Sequence, residues 1–546
     1  MPQGWSGPVQ PISFRPLEPS AFAGRAAPPV LFAPGAPPPG AEDRRDAAAF
    51  LVSHRLGGPP GLPDPGAAAL GLPPQRAVLA LSAVAAAAAV AEGQRVLLWR
   101  DPWSDRAPDP VPGARLVAER VSPWTLLDAA SEVRGAGRAM ALLARLAGLP
   151  CADAPEASLA EARCADPFRH RPWSLGEALE LLVHWRAQAA ENARITVCLG
   201  VARWKRAHVS ALLGHDAGGP RFARSAPAAL AAARQAGGAV AVWSSRERPG
   251  LRGQGVPVLA LEDGFLRSRG IGARFLPGAS YCLDAKAAYY DPRSPSALED
   301  LLRDGVSDSD TLRRAAALRA AIVERGIGKY HLSGEAPALS APPGRRVVLV
   351  PGQVEDDASV ILGGGAIRSN LALLRAVRAA EPEAFLVYKP HPDLEAGFRR
   401  GRIAAQDLMA VADQVVTGAS LSALFPVVDA LHTLTSLSGF EALLRGLPVT
   451  TWGRPFYAGW GLTTDRAPEG FPPGRRNLPR SLDALVAATL ILYPRYLDPV
   501  TLLPCTPELI LERLDDPDAW RLSPLTLHRG LEGQLRRWWS RLAGWR

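Results

Sequence analysis

The residues best equipped for chemistry lie between positions 347 and 463, where acid, His and Ser groups follow short apolar runs. The cluster Gln353-Val354-Glu355-Asp356-Asp357-Ala358-Ser359 comes after the run VVLV and the breaker Pro351-Gly352. A sugar leaving its carrier builds oxocarbenium-like charge. A carboxylate can stabilise that charge, capture it as a nucleophile, or deprotonate an acceptor hydroxyl. The same three acids also suit a helix N-terminus, where negative charge is favoured. Three contiguous acids on one loop lack a convincing metal-ligand spacing.

Two further clusters follow. Lys389-Pro390-His391-Pro392-Asp393 closes the run FLVY, and its two prolines fix the backbone around one imidazole. Such a turn suits contact with a leaving phosphate. Thr435-Ser436-Leu437-Ser438-Gly439-Phe440-Glu441 stands between a strand and a helix expected over 441–445. Small hydroxyl residues and Gly at a helix start offer N–H and O–H donors to an anion, and Ser is equally a common cap. Upstream, Glu262-Asp263-Gly264, Arg267-Ser268 and Tyr289-Tyr290-Asp291 suit a facing wall that binds sugar hydroxyls, or ordinary turns.

These clusters need elements to carry them. Strand candidates are VLAL (78–81), RVLLW (95–99), RLVA (115–118), ITVCLGV (195–201), AVAVWSS (239–245) and PVLALEDG (257–264). The series continues with VVLVPG, FLVYKP, ALHTLT and LPVTTWG between 347 and 453. Helical Ala/Leu/Arg stretches separate them, so the alternation predicts an α/β fold with parallel, Rossmann-like sheets. Polar groups just beyond strand ends are where such sheets place ligands. An internal repeat is also visible: 117–150 overlays 415–448 without gaps, an offset of 298 (117 to 415), matching Ser122 with Ser420 and Gly148-Leu149-Pro150 with Gly446-Leu447-Pro448.

Composition sets the outer bounds. A hydrophobic fraction of 47% over 546 residues is enough for several cored domains. Five scattered cysteines without a CxxC pair predict buried, reduced thiols. The start MPQGWSGPVQ has no secretion signal pattern, and residues 1–40, rich in Pro, Gly and Ala, predict a loosely ordered arm. The longest apolar run, 77–91, is too short to span a bilayer and reads as a strand entering an Ala-rich helix. A net charge of +9 fits anionic partners, yet no nucleic-acid motif accompanies it. Near the end, Leu531, Leu535, Trp538, Leu542 and Trp545 fall at helical spacing among Arg529, Arg536, Arg537, Arg541 and Arg546. That pattern predicts an interfacial helix on an anionic membrane, or one packed on the protein itself.

Taken together, LEDGFLRSRGIG, AYYDPRSPSALE, GKYHL, VPGQVEDDASV, SNLALLRAVR, YKPHPD, HTLTSLSGFEALLRG and PFYAGWGLTTD resemble the KpsC-type capsule polysaccharide transferases. These are β-Kdo transferases of bacterial capsule assembly. The resemblance implies a GT-B-like pair of Rossmann-like domains that uses CMP-Kdo as donor, retains anomeric configuration, and needs neither metal nor cofactor. It implies a phosphatidylglycerol-type lipid-linked acceptor at the inner face of the cytoplasmic membrane, where the enzyme is peripheral, alongside other capsule-assembly proteins. By position, Asp357, Glu355, Gln353 and His391 become catalytic. Lys389, Ser436, Ser438, Gly439 and Glu441 become donor-binding, and Glu262, Asp263 and Arg267 line the acceptor or sugar pocket. The implied domains are an arm (1–44), a reduced α/β remnant of a first module (45–190), an acceptor-side domain (191–340), a donor domain (341–500) and C-terminal helices with a basic tail (501–546). The remnant lacks the carboxylate motif and the HP turn, so one linkage activity is expected. The residues alone leave open another nucleotide-sugar transferase or a non-catalytic assembly component.

Overall fold

The computed structural model describes residues 40–56, 64–72, 76–100, 108–119, 121–151, 159, 164–169, 171–215, 218–269, 278–328, 337–391, 394, 403–468, 470–472 and 474–520. The expected arm over 1–39, Pro392 and Asp393, and the basic tail lie outside them. Residues 41–44, assigned from sequence to the arm, open the helix Ala41–Ser53. Two compact units emerge. One comprises residues 1–196 with 209–220 and 501–503, the other 197–208, 221–500 and 504–546.

In the first unit, β1 (Ala77–Ala80), β2 (Val96–Trp99), β3 (Ala114–Val117) and β4 (Ala130–Arg134) form a parallel sheet in the order β3-β2-β1-β4. β1 and β2 are buried along their whole length, as unbroken apolar runs demand when both faces are covered. Ser82 accepts from the Ala85 amide and starts the helix Ala83–Ala91, which divides the long apolar run as expected. A small hairpin of β5 (Cys164–Ala165) and β6 (Pro172–Trp173) follows.

The second unit holds two sheets. The first contains β7 (Ile195–Leu199), β8 (Arg221–Ala223), β9 (Ala239–Trp243), β10 (Val258–Asp263) and β11 (Ser280–Asp284). The second contains β12 (Val347–Pro351), β13 (Phe385–Lys389), β14 (Gln414–Val415), β15 (Ala430–Thr433), β16 (Val449–Thr451) and β17 (Thr464–Asp465). The chain then returns as β18 (Pro494–Leu497) and β19 (Pro504–Cys505), giving the first sheet the order β19-β18-β11-β10-β9-β7-β8. β18 pairs antiparallel with β11, so the second half ends before Pro494 and not at the boundary of 500 read from sequence. The second sheet is parallel in the order β14-β13-β12-β15-β16-β17. Numbered from β12, that is the doubly wound order 3-2-1-4-5-6. The expected pair of Rossmann-like halves is present.

The repeat is also structural. The offset of 298 (117 to 415) carries the end of β3 onto β14, the helix Pro123–Leu127 onto Leu421–Leu424, and Arg138–Leu146 onto Leu437–Leu444. The order β3-β2-β1-β4 repeats the 3-2-1-4 portion of the second-half sheet.

Within the second unit the halves are fastened by a buried ion cluster. Glu299 is 4% exposed and accepts from Arg475 at 2.7 and 2.8 Å and from Arg476 at 3.1 Å. Arg476 also donates to the Pro455 and Ala458 carbonyls. An aromatic cluster of Phe265, Tyr289, Phe440 and Phe456 packs alongside, with Phe265 and Phe456 centroids 4.9 Å apart. No helix among the described residues is long and apolar enough to cross a membrane. All five cysteines are free thiols, four of them buried, and burial pushes Cys164 and Cys198 up to about 12.

Two expected outcomes follow from this packing. Glu299→Ala strands two guanidinium groups in the core and should lower unfolding free energy by about 3–5 kcal/mol, measured by urea titration. His432 in β15 is buried, and its Nδ1 accepts from Trp452 Nε1, which leaves Nε2 as the proton carrier, 3.7 Å from Glu381. Burial, then Arg346 and Arg466, hold its pKa down to about 4. The unfolded chain therefore binds a proton that the folded chain refuses, so stability present above pH 6.5 is lost as pH falls toward 4. His432→Asn should flatten that loss in thermal melts taken across the window.

Candidate active site

The second sheet brings the three polar clusters together by register. β12 and β13 pair through Pro351 and Lys389, so Gln353 and His391 each stand two residues beyond neighbouring strand ends. The Gly352 amide donates to the Lys389 carbonyl at 2.7 Å. A side chain at 352 would meet the Tyr388 hydroxyl at 2.6 Å and the His391 amide at 3.2 Å, so only Gly permits this approach of the two turns. β12 also pairs with β15, and between these strands the chain reverses its winding direction, the place where doubly wound sheets bind ligands.

Gln353 spans that point. Its Oε1 accepts from the Thr435 amide at 3.1 Å and Thr433 Oγ1 at 3.2 Å, and its Nε2 donates to Thr435 Oγ1 at 3.0 Å. Its backbone is paired with the Asn370 side chain in both directions, each bond 2.8 Å. The Gln353 side chain is thus committed to positioning. Glu355 accepts from the Asn370 amide at 2.8 Å, which ties the carboxylate turn to the start of the helix Asn370–Ala380. Thr435 stood in the Ser-rich cluster picked out from sequence, whereas Asn370 and Thr433 lay in quoted motifs with no role assigned to them.

Asp357 is exposed and caps the helix Ala358–Gly363. Its Oδ1 accepts from the Ser359 amide at 3.0 Å and the Ser359 hydroxyl at 2.8 Å. Among the described residues, Oδ2 accepts no hydrogen bond. Asp357 therefore holds both positions open to it from sequence, a helix cap and a carboxylate with a free oxygen. Lys389 is buried at the end of β13, its Nζ donating to the Pro390 carbonyl at 3.3 Å.

The Ser-rich segment differs from expectation. The helix starts at Leu437, not at 441, so Ser438, Gly439 and Glu441 lie inside it and Ser436 is its cap. Ser436 Oγ accepts from the Ser438 amide at 3.2 Å and hydroxyl at 2.7 Å. The Tyr457 hydroxyl donates to the Ser436 carbonyl, and a Cβ on Gly439 would overlap that hydroxyl. Gly439 is thus required by tight packing. Glu441 is buried, its carboxylate beside Gly328.

On the first sheet, Asp263 is held by two cations. Lys205 Nζ reaches both of its oxygens at 2.8 Å, and Arg267 Nε lies 3.0 Å away. Lys205 also sits 3.8 Å over the Trp243 ring, and burial lowers its pKa. Asp263, expected with Arg267 beside Glu262 on a binding wall, is instead paired with both Arg267 and Lys205. Glu262 differs: with Asp357 it acts on Tyr290, whose phenol is raised by burial first, then by Glu262, and also by Asp357. One tyrosine therefore senses acids from both halves.

Removing the Gln353 amide should leave Thr433 and Thr435 groups unpaired at a cost of about 1–3 kcal/mol each. Gln353→Ala is expected to lower the melting midpoint strongly. Gln353→Glu, which keeps the acceptor oxygen, should lower it less; equal midpoints for the two variants would contradict the assignment.

A family model for capsule polysaccharide biosynthesis proteins matches residues 317–496. The capsule polysaccharide modification protein LipA of Neisseria meningitidis serogroup A is 35% identical over 348 residues, 63% of this chain and 49% of that protein. The lipopolysaccharide-processing protein LpsZ of Rhizobium meliloti is 43% identical over 244 residues, 44% of this chain and 54% of that protein. The chain thus spans about half the length of the curated relatives it matches. Among solved structures, the β-Kdo 2,4 transferase of Thermosulfurimonas dismutans KpsC is 31% identical with a TM-score of 0.51, covering 58% of this chain and 98% of that one. With the Gln353–Ser359 turn, the His391 turn and the Ser436 cap on one sheet edge, the chain belongs to the KpsC-type capsule polysaccharide biosynthesis proteins.

Proposed function

We propose that this protein is a retaining glycosyltransferase that moves β-Kdo from CMP-Kdo to a lipid-linked acceptor. The observation that carries the reading is the register of the second sheet, which sets the carboxylate turn, His391 and the Ser436 cap beside one another at its switch point. A nucleotide phosphate would lie against His391 and the start of the helix Leu437–Leu444, where the dipole favours an anion.

In the proposed reaction, Asp357 Oδ2 attacks the anomeric carbon as its bond to the CMP phosphate oxygen breaks, and CMP leaves with the electron pair. The ester so formed is then displaced by an acceptor hydroxyl, which loses its proton to a nearby base such as Glu262 and restores the Asp357 carboxylate. Two inversions give net retention. The buried anchor Lys205–Asp263–Arg267 would hold the strand end that presents Glu262.

The first unit supports a single linkage activity. At the repeat offset, Ser438, Gly439 and Glu441 correspond to Met140, Ala141 and Leu143, all fully buried. That copy keeps the sheet and offers no polar side chain at those three positions. Action at the inner membrane face, on a phosphatidylglycerol-type acceptor and with other capsule-assembly proteins, belongs to the same proposal. It is supported by the net charge of +9 and the family. A second reading, a non-catalytic family member, draws on one observation: Asp357 already caps a helix.

The test is the purified chain with CMP-Kdo and a lipid-like acceptor. Turnover is expected in the wild type, a loss of roughly 10³-fold or more in Asp357→Ala, and about 10²- to 10³-fold in His391→Ala. The anomeric configuration of the product, read by NMR, tests retention. Turnover of CMP-sialic acid in place of CMP-Kdo would reassign the donor. Turnover of neither would favour the non-catalytic reading.

A further inference from the structure

A cation that none of the preceding chemistry uses stands at the same sheet edge. Thr433 of β15 pairs with Thr451 of β16, so Arg454 lies three residues beyond its strand as Ser436 lies three beyond the neighbouring one. The Arg454 amide donates to the Gly363 carbonyl at 2.8 Å, which ties it to the end of the helix that Asp357 caps. A side chain at Gly453 would meet the Gly363 carbonyl at 2.6 Å, the Leu434 carbonyl at 3.0 Å and Thr435 Cγ2 at 3.1 Å. Backbone from two other segments is therefore packed against this one turn.

The guanidinium itself is unmatched. Its Nε is buried and, among the described residues, has no hydrogen-bond partner, and no acid pairs with the group. Its neighbours contrast with it: Arg445 donates to the Ile327 carbonyl, Arg475 and Arg476 bind Glu299, Arg480 donates to the Leu302 carbonyl, and Arg466 lies 5.4 Å over Trp452. A buried donor left without a partner costs free energy, which a ligand anion would recover. Guanidinium is also the group best shaped to grip a two-oxygen anion.

We propose that Arg454 is an anion-binding residue of this site, taking an oxyanion of an acidic nucleotide-sugar donor. The anion is the phosphodiester or the carboxylate of the sugar, two groups that present the same paired oxygens. This proposal rests on the donor reading above and adds a determinant to it: a site with Arg454 selects an acidic sugar nucleotide over one that lacks the recognised anion.

The experiment uses the full chain and its Arg454→Gln and Arg454→Lys variants. Calorimetric titration with CMP and with CMP-Kdo is paired with thermal melts in phosphate and in chloride at matched ionic strength. The variants should melt no lower than the wild type in chloride, since no partner is lost. Affinity for CMP-Kdo should fall about 10- to 100-fold in Arg454→Gln, the factor charge-assisted hydrogen bonds supply, and less in Arg454→Lys. An equal fall for CMP assigns the phosphate; a fall confined to CMP-Kdo assigns the carboxylate. If the wild type binds neither ligand, the donor reading fails, and phosphate stabilisation present in the wild type and absent in Arg454→Gln still supports an anion site. Unchanged affinities in a wild type that does bind, or equal phosphate stabilisation in the two proteins, overturns the proposal. So does a marked drop in the melting point of Arg454→Gln in chloride, which would reveal a structural role.

Discussion

One amide side chain sets the geometry of the site. Gln353 uses both ends of its carboxamide to join the loop after β12 to the loop after β15, and Asn370 fixes its backbone from the other side. An amide can do this because it carries donor and acceptor on one rigid plane. Gln353 itself is buried, so the alternative to making these bonds is a buried, unpaired amide. The carboxylate turn is therefore held on the sheet edge by the same bonds that hold the Ser436 turn, and loosening either releases both.

The repeat separates scaffold from chemistry. Both copies have the strand order 3-2-1-4 and a helix at the same distance from its strand. In the first unit that helix is preceded by Gly137, which makes no side-chain cap bond, and apolar residues fill the positions of Ser438, Gly439 and Glu441. Apolar burial is sufficient to preserve the sheet, because it is non-directional and tolerates many side chains of suitable size. Nothing in that force preserves hydroxyls or carboxylates, which persist in the second unit where Gln353 and Tyr457 organise them.

Charges are sorted in the same way. Glu299 with Arg475 and Arg476 joins the two halves of the second unit, and Asp263 with Lys205 and Arg267 stiffens the end of β10. Buried ion pairs of this kind contribute little net stability, since desolvation offsets attraction, but breaking one leaves a charge with no partner. They act as register pins. What distinguishes Asp357 and Arg454 is that each keeps a polar atom outside any such pair.

Much of the architecture was legible in the sequence, because local patterns carry it. Unbroken apolar runs marked the central strands, and prolines around His391 marked its turn. The strands that escaped reading, such as β4, β8, β11 and β14, are short or carry polar residues, and pairing with neighbours makes them strands. The polar clusters likewise announced themselves by residue type. Which of them would be free to meet a ligand was decided only by tertiary structure. Partners that consume a side chain lie far off along the chain: Gln353 meets Thr435 across 82 positions, and Lys205 meets Asp263 across 58. Hydrogen bonds and ion pairs act over a few ångströms, so sequence proximity cannot reveal whether an acid is a working group or already neutralised. Folding made that choice, committing Gln353 and Asp263 to the scaffold and leaving Asp357 and Arg454 with bonds still to make.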